Sequence, residues 1–503
     1  MKFKLYLTAC LFVLGLSCAH AVPAKKGVKR TIKLADGTSV VAELKGDEFA
    51  SYWQADDGKC YVQDIDSRTF KITDKAQVVN RGLAKRQKAN DERIKRFAKR
   101  GPKREITGAF SHFTGTKKGL IILVNFKDVK FGRTHTRTMF DNIANKKGFT
   151  NSLGFKGSVK DYFLAQSNGQ FELDFDVVGP YTLSQNMAYY GAHSKDGKVD
   201  VKAGHMVLEA CQMADKDVNY KDYDWDGDGE VDQVFVIYAG FGEADGGSED
   251  TIWPHESLLS ASSVGKRYES KDGVNVNTYA CGNENTYDRL GRSRINGIGT
   301  ICHEFSHCLG YPDLYDTNYS NFGMGSFDLM CSGSYNGESF CPPNYSAYEK
   351  WIAGWITPTV LDKPASVKDM QAQDVQYGQA FVVYNDNNKN EYYLIENRQN
   401  VGIWDKQLPA SGMMITHVDY DENIWEWNNV NTIVNYSSQY GPEYAYLDND
   451  HQRLTIFHAD NEDGSSADSQ AGDLYPFNGN NSLTDTSSPA ATIYQGGTTM
   501  GKP

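Results

Sequence analysis

The sequence predicts an α/β (α+β) protein: a mixed-sheet domain built around a helix that carries two histidines, a small β-segment before it and a β-sandwich-like region after it. Three observations carry this reading. Continuous apolar runs at Leu120–Phe126 and Val234–Tyr238 have the character of buried central strands. His303 and His307 sit four apart in a stretch with helical apolar spacing. Both ends of the chain show short alternating runs punctuated by Gly, Asn and Asp turns. At 503 residues the chain is too long for one ordinary core, so about three domains are expected.

Taken in order, Lys2 and Lys4 precede an apolar run from Leu5 to Leu16, and Ala19-His20-Ala21 follows. That is the pattern of a secretory signal peptide over residues 1–21, cleaved after Ala21. A lipoprotein anchor through Cys18 is the less favoured alternative, because Gly15 stands where such sites carry Leu. No later apolar run is long enough to span a bilayer. A secreted protein without a transmembrane segment is therefore expected.

Residues 22–105 read as a pro-segment. Thr31–Leu34, Val40–Leu44, Tyr61–Gln63 and Phe70–Ile72 alternate like short strands, separated by turn signals at Asp36-Gly37 and Asp57-Gly58. Residues 85–105 are rich in Lys and Arg and read as an exposed, cleavable linker, which implies an activating protease. From Val22 to Glu105 there are 21 Lys+Arg against 12 Asp+Glu, whereas the whole chain carries −12. The remainder is therefore strongly acidic, and a basic segment that docks on it fits the imbalance. Nucleic-acid binding is not indicated, because the basic part lacks aromatic interleaving. Cys60 is the only cysteine of this segment, and its thiolate is one candidate for a latency switch on a metal. Asp56, Asp57 or plain steric blockage are the others.

Residues 106–365 form the expected catalytic domain. After the strand at 120–126 come a helical pattern at Val159–Ala165, a strand-like run at Phe171–Phe175, a helix at Val201–Met213, the strand at 234–238 and the two-histidine helix at about 297–309. In that last helix Ile298, Ile301, Cys302, Phe305, Cys308 and Leu309 form an apolar stripe, and the histidines fall off it. A spacing of four puts both imidazoles on one face, able to share a metal. Glu304 lies beside them, where a general base for the attacking water must sit. Gly310 permits a left-handed stop, and chain reversal after Pro312 could return Asp313 as a third ligand, with Glu349 as its rival.

Two further groups stand out. Asp224, Asp226, Asp228, Glu230 and Asp232 lie in D-W-D-G-D-G-E-V-D, which matches much of a calcium loop, with Gly229 at the sharp-turn position. The twelfth position is Phe235, so the loop leads into a strand and not a second helix. Met330, in a tight segment downstream of the metal helix, and Tyr335, which could donate to an oxyanion, are the other candidates.

Residues 366–503 read as a C-terminal β-rich domain, with strand-like runs at Phe381–Tyr384, Tyr392–Ile395 and Met413–Thr416. The end at Gly501-Lys502-Pro503, with no polar tail or closing turn, has the look of a chain cut short. Cys10 and Cys18 leave with the signal peptide. Of the seven remaining cysteines, the six beyond the pro-segment are expected to form disulfides in an oxidising compartment.

The stretch His303–Asp316, the Asp224–Asp232 loop with Val236–Gly240, the Trp253-Pro254-His255 triplet, Ser346–Lys350 running to Gly354-Trp355, and Tyr393–Arg398 together resemble the immune inhibitor A-type secreted zinc metallopeptidases, a metzincin-like group. The resemblance covers about residues 108–460. It implies a zincin-like catalytic domain, a zymogen with a pro-segment, a C-terminal β-domain, catalytic Zn2+ held by His303, His307 and Asp313, and structural Ca2+. It also implies a hydrolase: a protease acting on protein or peptide substrates. Cys302 and Cys308, flanking the metal helix, depart from the family pattern. Two other readings remain at this point. One is a zinc hydrolase of a non-peptide bond. The other is a secreted binding or adhesion protein with a vestigial metal site.

Overall fold

The computed structural model of the protein describes residues 20–78, 80–82, 113–193, 200–288, 290–317, 321–374, 378–464 and 467–502. The proposed signal sequence, apart from its last two residues, and the basic linker at 85–105 lie outside these.

Strand β1 (His20–Ala21) belongs to the central sheet. An N-terminal sheet follows: β2 (Lys29–Lys33), β3 (Ser39–Gly46), β4 (Ser51–Ala55), β5 (Cys60–Gln63) and β6 (Phe70–Thr73), an antiparallel meander in sequential order. The strands expected from alternation are all present. The inward residues Ile32, Ala42, Leu44, Trp53, Tyr61 and Phe70 pack with Ala244 and Trp253 of the next domain. The N-terminal sheet therefore shares its core with the domain it sits on.

The central sheet contains β7 (Gly115–Asn125), β8 (Phe171–Thr182), β9 (Val234–Phe241), β10 (His255–Leu258), β13 (Thr278–Tyr287) and β14 (Ser293–Ile295), after a small ribbon of β11 (Tyr268–Glu269) and β12 (Asn275–Val276). Its order is β1-β10-β13-β9-β7-β8, with β14 on β13. The strands β13, β9, β7 and β8 run parallel, while β10 is antiparallel to β13. The mixed α/β arrangement expected from the sequence is present.

The run 120–124 is apolar throughout because both faces of β7 are covered. Ile121 and Leu123 face a core that contains Phe305. Leu120, Ile122 and Val124 face a second core. The helices α1 (Arg137–Asn145) and α2 (Val159–Gln166) cover the first face, and α3 (Met187–Gly191) and α4 (Ala203–Ala214) the second. The Ser158 hydroxyl starts α2 through a capping box with Asp161. The histidine helix α5 (Gly299–His307) lies on the first face.

After α6 (Ala347–Ile352) the chain forms β15 (Thr359–Val360), β16 (Ala380–Tyr384), β17 (Glu391–Arg398), β18 (Gly412–Asp419) and β19 (Leu454–Ile456), one five-stranded sheet in sequential order. The expected β-sandwich is absent among the described residues. One face of this sheet, with Val382, Leu394, Met414 and Val418, joins the core of α5. The other, with Tyr393 and Ile415, is covered by Phe457, Tyr475, Ala491 and Ile493. Strand alternation reports two buried faces without telling a second sheet from irregular chain.

The expected disulfides are also absent. Cys60, Cys211, Cys281, Cys302, Cys308, Cys331 and Cys341 are all free, and all but Cys308 are buried. They act as small apolar side chains. Burial pushes the Cys302 and Cys308 thiols well above their ordinary range, which opposes metal binding as thiolates.

Candidate active site

Every residue of α5 is buried. Its start is held by a close approach: a Cβ on Gly299 would lie 1.8 Å from the Ser334 carbonyl oxygen, so only glycine fits. Phe305 anchors the apolar face, with ring centroids 5.6 Å from Phe163 and 5.5 Å from Phe175. That packing turns His303, Glu304 and His307 toward the cleft, where they bring ligand atoms within 4.8 Å of one another. Gly310 ends the segment at φ 85°, as its position predicts.

Each histidine ring is oriented by a backbone carbonyl. His303 Nδ1 donates to Leu329 O at 2.8 Å, and His307 Nδ1 donates to Tyr311 O at 2.7 Å. These bonds leave both Nε2 atoms as acceptors or metal donors. Asp313 Oδ1 meets them, 3.2 Å from His303 Nε2 and 3.6 Å from His307 Nε2. Asp313 is itself clamped by Asn428, which donates from Nδ2 to Asp313 Oδ2 at 2.7 Å and accepts the Asp313 N–H at 2.6 Å. Nothing in the local sequence around Asn428 marks this role.

Glu349 is elsewhere. Its carboxylate accepts from Ser346 N at 2.7 Å and Ser346 Oγ at 2.9 Å, closing the capping box of α6. Met330 is fully buried, and its N–H donates to Asp328 Oδ1, which tightens the turn that presents Leu329 O to His303.

Two histidines and an aspartate around one point, with a glutamate beside them, fit a divalent metal. Burial first, and the Asp313 charge second, push the Glu304 carboxyl well above the usual carboxylate range. Glu304 Oε2 is buried and has no hydrogen-bond partner among the described residues.

The other oxygen of Glu304 is taken by the N-terminal part of the chain. Val22 N–H donates to Glu304 Oε1 at 3.1 Å, and Val22 is fully buried. The flanking chain lies along β10 as an antiparallel strand, with Ala21 opposite His255 and His20 opposite Glu256. Trp253 Nε1 donates to Val22 O at 2.8 Å, and Tyr335 OH donates to Pro23 O at 2.6 Å. Tyr335, expected to reach a substrate oxygen, thus holds a carbonyl of the segment in the cleft. Lys25 Nζ donates to Thr286 Oγ1 at 2.7 Å and lies 3.8 Å from Asp245.

The Cys60 reading is corrected by this arrangement. Cys60 packs in a separate small core with Ala50, Tyr52 and Val78. Asp56 and Asp57 are exposed and face Lys29 and Lys59. None of the three is in the cleft.

In the aspartate loop, Asp224, Asp226 and Asp228 gather their carboxylates within 4.8 Å. Gly227 and Gly229 take φ 79° and 89°, and Gly229 N–H donates to Asp224 Oδ2 at 3.0 Å. The other two predicted residues face other groups. Glu230 pairs with Arg267 at 3.2 Å, and Asp232 Oδ2 accepts the Trp225 N–H at 2.6 Å. Burial, with the neighbouring aspartate charges adding to it, pushes Asp232 up to about 7.

Residues 112–356 match the family described as immune inhibitor A peptidase M6, catalytic domain. The chain is 29% identical over 260 residues to the pre-pro-metalloprotease PrtV of Vibrio cholerae serotype O1 (strain M66-2), covering 44% of this chain and 28% of that protein. It is 26% identical over 289 residues to Immune inhibitor A of Bacillus thuringiensis subsp. alesti, covering 49% of this chain and 41% of that protein. The chain thus spans less than half the length of these relatives. The resemblance read from the sequence agrees with this match to a peptidase catalytic domain.

Proposed function

We propose that the protein is a secreted zinc-dependent endopeptidase, made as a precursor whose N-terminal segment fills its own cleft. The observation that carries this is the convergence of His303 Nε2, His307 Nε2 and Asp313 Oδ1 with Glu304 alongside. These three would hold the zinc. When bound, zinc acidifies a water and polarises the scissile carbonyl.

The chain's own residues supply the rest. Glu304 takes the proton of the attacking water and delivers it to the leaving amine. Leu329 O and Tyr311 O keep the histidine rings in the ligating tautomer. Strand β10 offers its free edge to an extended peptide, as it does to β1. Tyr335 donates a hydrogen bond to a backbone carbonyl in the cleft. A vestigial site in a binding protein would have no need of Glu304 or of clamps on each ligand.

The pro-segment reading is supported by the hydrogen bonds of Val22 and Pro23 in the cleft and by the charges that follow them. Lys25 faces Asp245, Arg30 is 3.6 Å from Glu249, and Arg68 is 2.7 Å from Asp250. The basic segment meets an acidic loop, as the charge imbalance of the sequence suggests. The Asp224–Asp228 carboxylates are the proposed structural calcium site.

The test is hydrolysis of casein by the activated protein with and without chelator, alongside Glu304→Ala. The expected result is zinc-dependent cleavage, and a zinc-loaded but inert Glu304→Ala protein. Cleavage that is insensitive to chelator, or near-normal turnover by Glu304→Ala, would overturn the mechanism. Failure to cleave casein by an activated, zinc-loaded protein that hydrolyses a non-peptide ester would overturn the endopeptidase assignment.

A further inference from the structure

A second group of metal-ligand side chains lies under the pro-segment, away from the histidine helix. His193 follows α3, Asp200 precedes α4 and Glu243 follows β9. Each brings a ligand atom within 4.8 Å of the others. His193 Nε2 is 2.8 Å from Glu243 Oε2, and these side chains are 15% and 2% exposed. Asp200 Oδ2 accepts the Trp253 N–H at 2.6 Å. Its other oxygen, Oδ1, is shut away from solvent and has no hydrogen-bond partner among the described residues. Neither carboxylate is paired with a lysine or arginine among those residues.

As at the first site, an imidazole nitrogen stands against a carboxylate oxygen in buried surroundings. We propose that His193, Asp200 and Glu243 form a second site, for a divalent transition metal of the zinc type. The imidazole donor disfavours Ca2+ and Mg2+, which take oxygen ligands. Three protein ligands leave a fourth position for water. Without a metal, burial and the Glu243 charge push the Asp200 carboxyl well above its ordinary range. Burial of His193 opposes its protonation, but Glu243 outweighs that and pushes it up to about 9.

The place of the site gives it a task. Glu243 Oε1 accepts from Ser51 Oγ of the pro-segment at 3.2 Å. Asp200 holds the Trp253 N–H, and Trp253 Nε1 holds Val22 O in the cleft. A metal here pins the loop that receives the pro-segment and the tryptophan that orients its first residue.

The test uses the full precursor carrying Glu304→Ala, which prevents self-digestion. It is loaded with zinc, freed of excess metal by gel filtration and analysed by mass spectrometry for zinc per chain. Two equivalents are expected, falling to one in His193→Gln and in Glu243→Gln. A His303→Ala/His307→Ala precursor should keep one equivalent and lose it when His193→Gln is added. One equivalent in the parent, or an unaltered count in both His193→Gln and Glu243→Gln, overturns the proposal and leaves a plain His193–Glu243 ion pair. Should those variants fail to fold by circular dichroism, the His303→Ala/His307→Ala protein decides: one equivalent sustains the second site and none removes it.

Discussion

The backbone nitrogen of Val22 donates to the carboxylate of Glu304 across 282 residues of chain. Val22 is also the residue that signal-peptide cleavage after Ala21 would make the N-terminus. Its nitrogen would then be an ammonium, and the contact a charge-assisted one, stronger than a neutral hydrogen bond. The proposed catalytic base would be held by the first residue of the secreted chain.

Latency is the predicted consequence of that contact. The purified precursor should be inactive on casein and gain activity after limited trypsin treatment within residues 85–105. Lys25→Ala removes the bonds to Thr286 and Asp245, and should let the precursor show partial activity before cleavage. Equal activity of cleaved and uncleaved wild-type protein would show that residues 22–105 do not inhibit.

Asn428 should matter to metal affinity without touching metal. Asn428→Ala removes both bonds to Asp313, and loss of such an orienting partner typically costs about 10–100-fold in affinity. Chelator competition should show that drop, and a larger one for Asp313→Ala. Glu349→Ala should leave affinity nearly unchanged while lowering the thermal midpoint, since it caps α6. If Glu349→Ala alone loses zinc, the ligand assignment is wrong.

Calcium should raise the thermal midpoint, because a cation that binds only the folded state stabilises it by mass action. The double variant Asp226→Asn/Asp228→Asn should lose most of that rise. A calcium response of unaltered size in the double variant would place the site elsewhere.

Phe305 is the packing anchor of the two-histidine helix. Phe305→Ala should destabilise by about 3–5 kcal/mol, the usual cost of emptying a buried phenylalanine site. Denaturant unfolding on the Glu304→Ala background measures it without self-digestion. A loss under ~1 kcal/mol would mean the site collapses around the smaller side chain.

The two-histidine helix, the turn at Gly310 and the gathering of Asp224, Asp226 and Asp228 were legible in the sequence. Each is written within one or two turns of chain, where spacing alone sets which side chains share a face. The strand runs were legible for the same reason, since burial on both faces leaves a local apolar signature. Even the docking of a basic segment on an acidic body could be read, because net charge needs no geometry. Tertiary structure decided the rest. It set Asn428 against Asp313 from 115 residues away, Val22 against Glu304 from 282, and His193 and Asp200 beside Glu243. It also kept seven cysteines apart, put Cys60 in its own small core and gave the C-terminal strands one sheet in place of two. These outcomes depend on how distant segments pack, and no periodicity within a segment encodes which partner it will meet.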